Sequence, residues 1–450
     1  MHLLGRPSGI RAFAFRLAGV AVAACLAFPG QAAAGGLVGA RLAAKSYSGG
    51  PAATAATVER SPDQARIAFD LNLPVEAKAY VLADPDRVVV DLPEIGFLLD
   101  PAVGRLASLS RHAKTPPPLV SSFRFGQFAP GRSRIVIDLS GPARIVKAAS
   151  EPTPSGGASR LVIQLAATDP DSFRAAARAA RAVQLLAAPA PENAGEMTVP
   201  PKSSLPTVYI DPGHGGVDMG AVSPNGVYEK SIVLEFGREL AARLEKGGRV
   251  KPMMTRSDDV FIPLSQRVKI ARDGGASLFI SIHADTLYEG AVHGATIYTI
   301  SDRASDAEAA RLAAKENNAD QAGGLANSED AVDVNDILAD LTRRETRAMS
   351  HVFAYDLAAR WKAAGDLNKN PLRSAGFVVL KAPDVPSVLL ELGYLSSAQD
   401  IAKLTAAEWR RRATERVAEA IERYFARPQG AQDHTAAVVV DGPRPSATPH

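Results

Sequence analysis

Three ionisable residues stand directly behind short apolar runs. His214 follows "VYI" inside the turn "DPGHGG" (Asp211 to Gly216), His283 closes "LFISI", and Glu391 closes "SVLL". A fourth, Glu229 in "YEKS", is the first charged residue at the start of the helical stretch that follows. Apolar runs of this length, bounded by Gly and Pro, read as strands. In open α/β sheets the groups that do chemistry gather beyond the C-terminal ends of the strands. Two imidazoles and one carboxylate are the ligand set of many hydrolytic zinc sites, with a fourth position left for water. Bound zinc brings that water's pKa to about 7. A second carboxylate must then carry protons. The spacing therefore points to His214, Glu229 and His283 as metal ligands and to Glu391 as the proton carrier. Spacing alone leaves open that the two histidines are ordinary strand-end residues, since no HExxH helix marks a compact site. A glycosidase built on Glu229 and Glu391 would leave both histidines unexplained.

The turn around His214 is expensive in special residues. Gly213, Gly215 and Gly216 allow a sharp bend and keep side chains away from a substrate. Pro212 stiffens it. Asp211 is expected to orient the imidazole through its second nitrogen.

The elements that must position these residues follow from periodicity. Residues 206–426 alternate strand and helix patterns and predict an α/β domain, a mixed, largely parallel sheet flanked by helices. "SIVLEFGRELAARLEK" carries Ile232, Phe236, Leu240 and Leu244 at four-residue spacing, one apolar helical face. "KPMMTR" and "GATIYTIS" read as strands and "LSQRVKIAR" as a helix. Ile337 to Gly365 reads as one long helix, and "SVLLEL" as the last clear strand. Between "TIYTIS" and that long helix lies a polar, Ala- and acid-rich stretch, long for a loop in a compact domain. Its "DAEAARLAAKENN" (Asp306 to Asn318) has helical composition.

Upstream, residues 55–166 show short period-two segments such as "RVVVDLP" and "SRIVIDLS", which predict a small all-β sandwich. It holds no cluster of potential ligands, and its His112 reads as a surface residue. A binding or targeting role is expected. Residues 35–54 read as a flexible lead-in, 167–205 as an Ala/Pro-rich linker containing one short helix, and 427–450 as a disordered tail.

Residues 1–34 read as a Sec-type signal peptide. Arg6, Arg11 and Arg16 precede a short apolar core, "LAGVAVAACLAF", and small residues for cleavage. That core is too short to span a bilayer, so no stable membrane anchor is expected. Cys25, the only cysteine of 450 residues, falls inside it. The mature chain then has neither disulfides nor thiol chemistry. A net charge of +3 without any Lys/Arg block excludes nucleic acid as an expected partner.

Four blocks, "DPGHGGVDMGAVSPNGVYEKS", "TRSDDVFIPLSQRVKIA", "SLFISIHAD" and "SVLLELGYLSS", resemble the signatures of zinc-dependent N-acetylmuramoyl-L-alanine amidases of the amidase-3 type. The region containing "DPDRVVVDLP" and "SSFRFGQFAPGRSRIVIDLSGPARI" resembles the AMIN domain that often precedes them. The resemblance implies one Zn2+ held by His214, Glu229 and His283, and Glu391 as the catalytic glutamate. It implies a periplasmic enzyme that cleaves the amide between N-acetylmuramic acid and L-alanine of peptidoglycan at the division septum. It further implies an inserted inhibitory helix whose glutamate, by position Glu316, caps the zinc, and a LytM-type activator protein. Glu308, Glu329 and Asp330 are rival caps. His293 is a weaker ligand candidate, and His351 reads as packing or surface.

Overall fold

In the computed structural model, the described residues are 50–106, 116–153, 158–187, 205–287, 292–326 and 337–427. The expected signal peptide, most of the lead-in, His112, Glu329, Asp330 and the tail beyond residue 427 lie outside them. No helix among the described residues is long and apolar enough to cross a membrane.

The N-terminal region is a sandwich of two sheets. Its strands are β1 (Ala52–Arg60), β2 (Gln64–Leu71), β3 (Lys78–Leu82), β4 (Arg87–Pro93), β5 (Gly96–Phe97), β6 (Val120–Ala129), β7 (Arg132–Leu139), β8 (Ala143–Pro152) and β9 (Ser159–Ala167). One sheet has the order β5-β1-β2-β9-β8 and the other β3-β4-β7-β6. Alternation along each strand builds the core: Val88, Val90, Ile135, Ile137, Phe123 and Phe125 meet Ile67, Phe69, Leu161 and Ile163. Phe69 and Phe123 pack edge to face with ring centroids 5.7 Å apart. Residues of the opposite phase in β4 and β7 are buried as well, Val89 and Val136 among them. This explains the unbroken apolar runs in "RVVVDLP" and "RIVIDL": those strands are covered on both faces. Helix α1 (Pro170–Ala187) occupies the start of the expected linker and sends Phe173 and Ala177 into the same core.

The second region comprises β10 (Thr207–Pro212), α2 (Glu229–Gly247), β11 (Lys251–Met254), α3 (Leu264–Asp273), β12 (Leu278–His283), β13 (Ala295–Ile300), α4 (Ala307–Glu316), α5 (Ala319–Ala322), α6 (Ile337–Trp361), β14 (Leu367–Ala375), β15 (Ser387–Glu391), α7 (Ala398–Leu404) and α8 (Ala407–Ala426). The sheet order is β11-β10-β12-β15-β13-β14. All its pairings are parallel except that of β13 with β15. The central strands are buried on both sides. Val208, Ile210, Ile280, Val388 and Leu390 face α2, α6 and α8. Tyr209, Phe279 and Leu389 face α3 and α4. Fully burying each Leu, Ile or Phe here is worth about 1.5–3 kcal/mol.

Five strands were not foreseen, β1, β3, β5, β8 and β14, and the first and last show why. β1 begins in "AATAA", whose alanines carry little strand preference; pairing with β2 decides its conformation. β14 has the sequence "LNKNPLRSA" and lies at the sheet edge, where Pro371 is tolerated.

Candidate metal centre

Strand register sets the frame of the site. β10 and β12 run side by side with Pro212 opposite Ile282, and β12 and β15 with His283 opposite Glu391. The turn after β10 and the last residues of β12 and β15 therefore share one edge of the sheet. Glu229 enters from the first residue of α2.

His214 sits in the left-handed region, with φ of 58°. A non-glycine residue is rare there and must be held by its surroundings. Two buried arginines do this. Arg267 donates to the carbonyls of Pro212 (2.8 Å) and His214 (2.7 Å), and Arg256 to those of Pro212 (2.9 Å) and Gly213 (2.7 Å). Burial, with Arg267 beside it, lowers the Arg256 guanidinium to about 10. Gly213 is required by close approach: a Cβ there would lie 2.4 Å from the His283 ring. The glycine clears room for the second histidine, not only for a substrate.

The role expected of Asp211 belongs to Asp218. The Asp218 carboxylate lies 2.8 Å from His214 Nδ1. Asp211 instead accepts from Thr255 Oγ1 (2.6 Å), Ser281 Oγ (2.8 Å) and Arg267 (2.9 Å), all buried. As the penultimate residue of β10, Asp211 points along the sheet, whereas Asp218 lies on the returning arm of the turn, bonded to it through Gly215. Asp218, Arg256 and Arg267 stand inside the quoted motif blocks, but nothing in their spacing ties them to His214.

With its Nδ1 engaged, His214 directs Nε2 inward, where this buried atom has no hydrogen-bond partner. Around it converge Glu229 Oε2 at 3.2 Å and Glu316 Oε2 at 3.4 Å. His283 Nδ1 is 3.2 Å from Glu229 Oε1 and 3.2 Å from Glu316 Oε2. His214, His283 and Glu316 offer ligand atoms all within 4.8 Å of one another. Imidazole nitrogens and carboxylate oxygens, buried and partly unpaired, are a donor set that fits zinc. Despite burial, the carboxylates of Glu229, Asp218 and Glu316 push the His214 imidazole well above its ordinary value.

Glu391 is fully buried. Its Oε2 accepts from the Asp285 amide at 3.0 Å, and its Oε1 has no hydrogen-bond partner. Burial and the negative charges of Glu229, Asp285 and Glu316 push its carboxyl well above the usual range.

Glu316 is the last residue of α4, whose N-terminus Asp306 caps by accepting from the Glu308 and Ala309 amides. Ala309, Leu312 and Ala313 bury the helix in the domain core. Beside Glu316, Lys315 is ion-paired with Asp285. Glu308 is drawn away, to Arg373 at 2.8 Å. His293 is exposed, and His351 on α6 lies 3.4 Å from Thr299 Oγ1; neither joins the cluster.

Residues 208–423 match the family N-acetylmuramoyl-L-alanine amidase (Amidase_3), and residues 55–165 match the AMIN domain. The chain is 32% identical over 375 residues to N-acetylmuramoyl-L-alanine amidase AmiC of Escherichia coli O6:H1, which covers 80% of this chain and 86% of that relative. The chain belongs to the N-acetylmuramoyl-L-alanine amidases. A second amidase, AmiC of Neisseria meningitidis serogroup B, is 32% identical over 383 residues, covering 83% of this chain and 90% of its own. Among solved structures, N-acetylmuramoyl-L-alanine amidase AmiC2 of Nostoc punctiforme is 28% identical and covers 49% of this chain and 98% of its own, with a TM-score of 0.34. The amidase thus carries an N-terminal AMIN sandwich and a catalytic α/β domain, and its substrate is peptidoglycan.

Proposed function

We propose that this amidase is a periplasmic zinc enzyme that opens septal peptidoglycan during daughter-cell separation, and that its inserted helix α4 holds it closed. The observation that carries the metal reading is the buried, unpartnered Nε2 of His214, ringed by carboxylate oxygens of Glu229 and Glu316. A polar atom so buried is costly unless something binds it.

His214, Glu229 and His283 would hold the ion. Zinc there would polarise the scissile carbonyl and make hydroxide available at neutral pH. Asp218 accepts the Nδ1 proton of His214 and so leaves the Nε2 lone pair facing inward. Glu391 takes the proton of the attacking water and returns it to the departing nitrogen of L-alanine. Burial and like charges raise this carboxyl, so its carboxylate is a stronger base than an exposed one.

Glu316 supports the closed reading. Its carboxylate oxygen lies 3.4 Å from His214 Nε2 and 3.2 Å from His283 Nδ1, close enough to join the ion that these residues would hold. Opening requires a partner that binds the unlocked state more tightly than the locked one; a LytM-type activator is the proposed partner. The charged, apolar and small-residue order of residues 1–34 supports export.

Metal content and muropeptide products test the reading together. Purified enzyme should hold about one zinc per chain. Mass spectrometry should show stem peptides released at the L-alanine nitrogen. His214→Ala should lose metal and activity together. A His214→Ala protein with full zinc occupancy and parental turnover would show the metal assignment to be wrong.

A further inference from the structure

The outer face of the β3-β4-β7-β6 sheet is not a free surface. Strand register places Arg87 opposite Asp138, Val89 opposite Val136, Asp91 opposite Arg134, and Arg124 opposite Val136. Side chains alternate, so these residues share one face, the one turned away from the sandwich core. They meet the chain that follows Glu316. Arg87 donates to the carbonyls of Gln321 and Leu325, the latter at 3.4 Å. Arg124 donates to Ala322 at 2.7 Å and Gln321 at 3.5 Å. Arg134 donates to Gly323 at 3.0 Å and Gly324 at 3.1 Å. Every carbonyl from Gln321 to Leu325 thus accepts from a guanidinium of the AMIN sheet. These are the carbonyls at and beyond the end of α5, where helical partners run out; that of Gln321 also accepts from the Gly324 amide at 2.9 Å.

The charges are arranged for this contact. Asp91 holds Arg134 by two oxygens at 2.6 and 3.0 Å, and Asp138 holds Arg124 at 2.6 Å. Arg87, 1% exposed, donates to three carbonyls, those of Pro85, Gln321 and Leu325, with Asp138 opposite it on β7. Burying a guanidinium away from water is costly unless its acceptors are fixed in place. Packing fits too. Gly324 has φ of 72°, and a Cβ on it would lie 2.9 Å from Val136 and 3.2 Å from Val89. Phe128 of β6 stacks on Phe261 of the catalytic domain at 5.7 Å, with the Arg134 guanidinium 3.4 Å above the Phe128 ring. On its other side the segment is anchored to the catalytic domain. Asp320 accepts from the Leu264 amide at 2.9 Å, and Asn317 bonds Gly376 and Val378.

We propose that this arginine face of the AMIN sheet is the docking site of residues 317–325 and that, by seating them, it keeps Glu316 in the metal site. The proposal rests on the reading of Glu316 as the cap. The AMIN domain is then half of the lock, and not only a tether.

Hydrogen exchange on the two-domain chain reads the docking directly, and dye release from labelled peptidoglycan reads its consequence. Gly324→Val breaks the contact from the segment side. Arg124→Ala with Arg134→Ala breaks it from the sheet side, and exchange in β8 and β9, on the other sheet, reports whether the sandwich remains folded. If it does not, Gly324→Val decides alone. Amides of residues 309–325 should exchange on the order of tenfold faster, as when a charge-assisted bond is removed from one side of a two-state equilibrium. Basal dye release should rise in step, and Glu316→Ala should raise it at least as far. Unchanged exchange overturns the proposal. So does faster exchange without added dye release, where Glu316→Ala does add it. If exchange quickens but Glu316→Ala leaves dye release at the parental level, the docking stands and the cap reading fails.

Discussion

Asp218 holds the His214 ring by Nδ1 at 2.8 Å, so the tautomer that leaves Nε2 free is set by a residue four positions along the same turn. Removing the charge while keeping the shape should weaken metal binding without unfolding the domain. Asp218→Asn is expected to lower zinc affinity about 10–100-fold, the usual weight of a carboxylate behind a metal-bound histidine. Competition against a chromophoric chelator measures it. Parental affinity would mean that the ring is oriented by other contacts.

Glu391 separates binding from chemistry. Glu391→Gln should keep its zinc and slow hydrolysis on the order of a hundredfold or more, as loss of a general acid–base group does. Metal analysis and turnover on the same preparation provide the check. Near-parental turnover in the zinc-replete variant removes Glu391 from the mechanism.

Glu316→Ala should act in the opposite direction. If the carboxylate caps the site, its loss raises basal dye release with no activator present. Deletion of residues 306–324 should do the same. A parent that is already fully active alone, unaffected by either change, would rule the cap out.

Arg267 is a stability prediction. It is buried, ion-paired with Asp211 at 2.9 Å, and bonded to three backbone carbonyls, those of Pro212, His214 and Ile262. Removing one partner of such a buried pair costs about 3–5 kcal/mol. Arg267→Ala should therefore shift denaturant unfolding by that amount. Both tryptophans, Trp361 and Trp409, lie in the catalytic core, so their fluorescence follows this domain alone. A shift under about 1 kcal/mol, the range of ordinary surface changes, would show that the turn does not depend on Arg267.

Much of the arrangement was legible because it is carried by period and position. The apolar runs ending at His283 and Glu391, and the one leading to the His214 turn, are neighbouring parallel strands, and the helical composition of Asp306 to Asn318 is realised as α4. What escaped depends on contacts distant in sequence. Asp218 rather than Asp211 meets the imidazole because the turn doubles back, a geometry that residue spacing does not encode. β14 is a strand through its pairing with β13, against its own composition. The three-valine run of β4 did signal a strand, but its double coverage becomes readable only once the arginine face and the segment it meets are both in place.

β15 lies between β12 and β13, although it is last of the sheet's strands in the chain. A chain emerging N-terminus first therefore presents its parts in a fixed sequence. The proposed ligands at 214, 229 and 283 come out first, the proposed cap at 316 next, and Glu391 only when the central gap of the sheet is filled. On the proposed roles, the metal ligands and the cap both precede the proton carrier in the chain. If Glu316 caps the site, as proposed, the order of the chain brings the cap out before the last residue that the proposed mechanism needs.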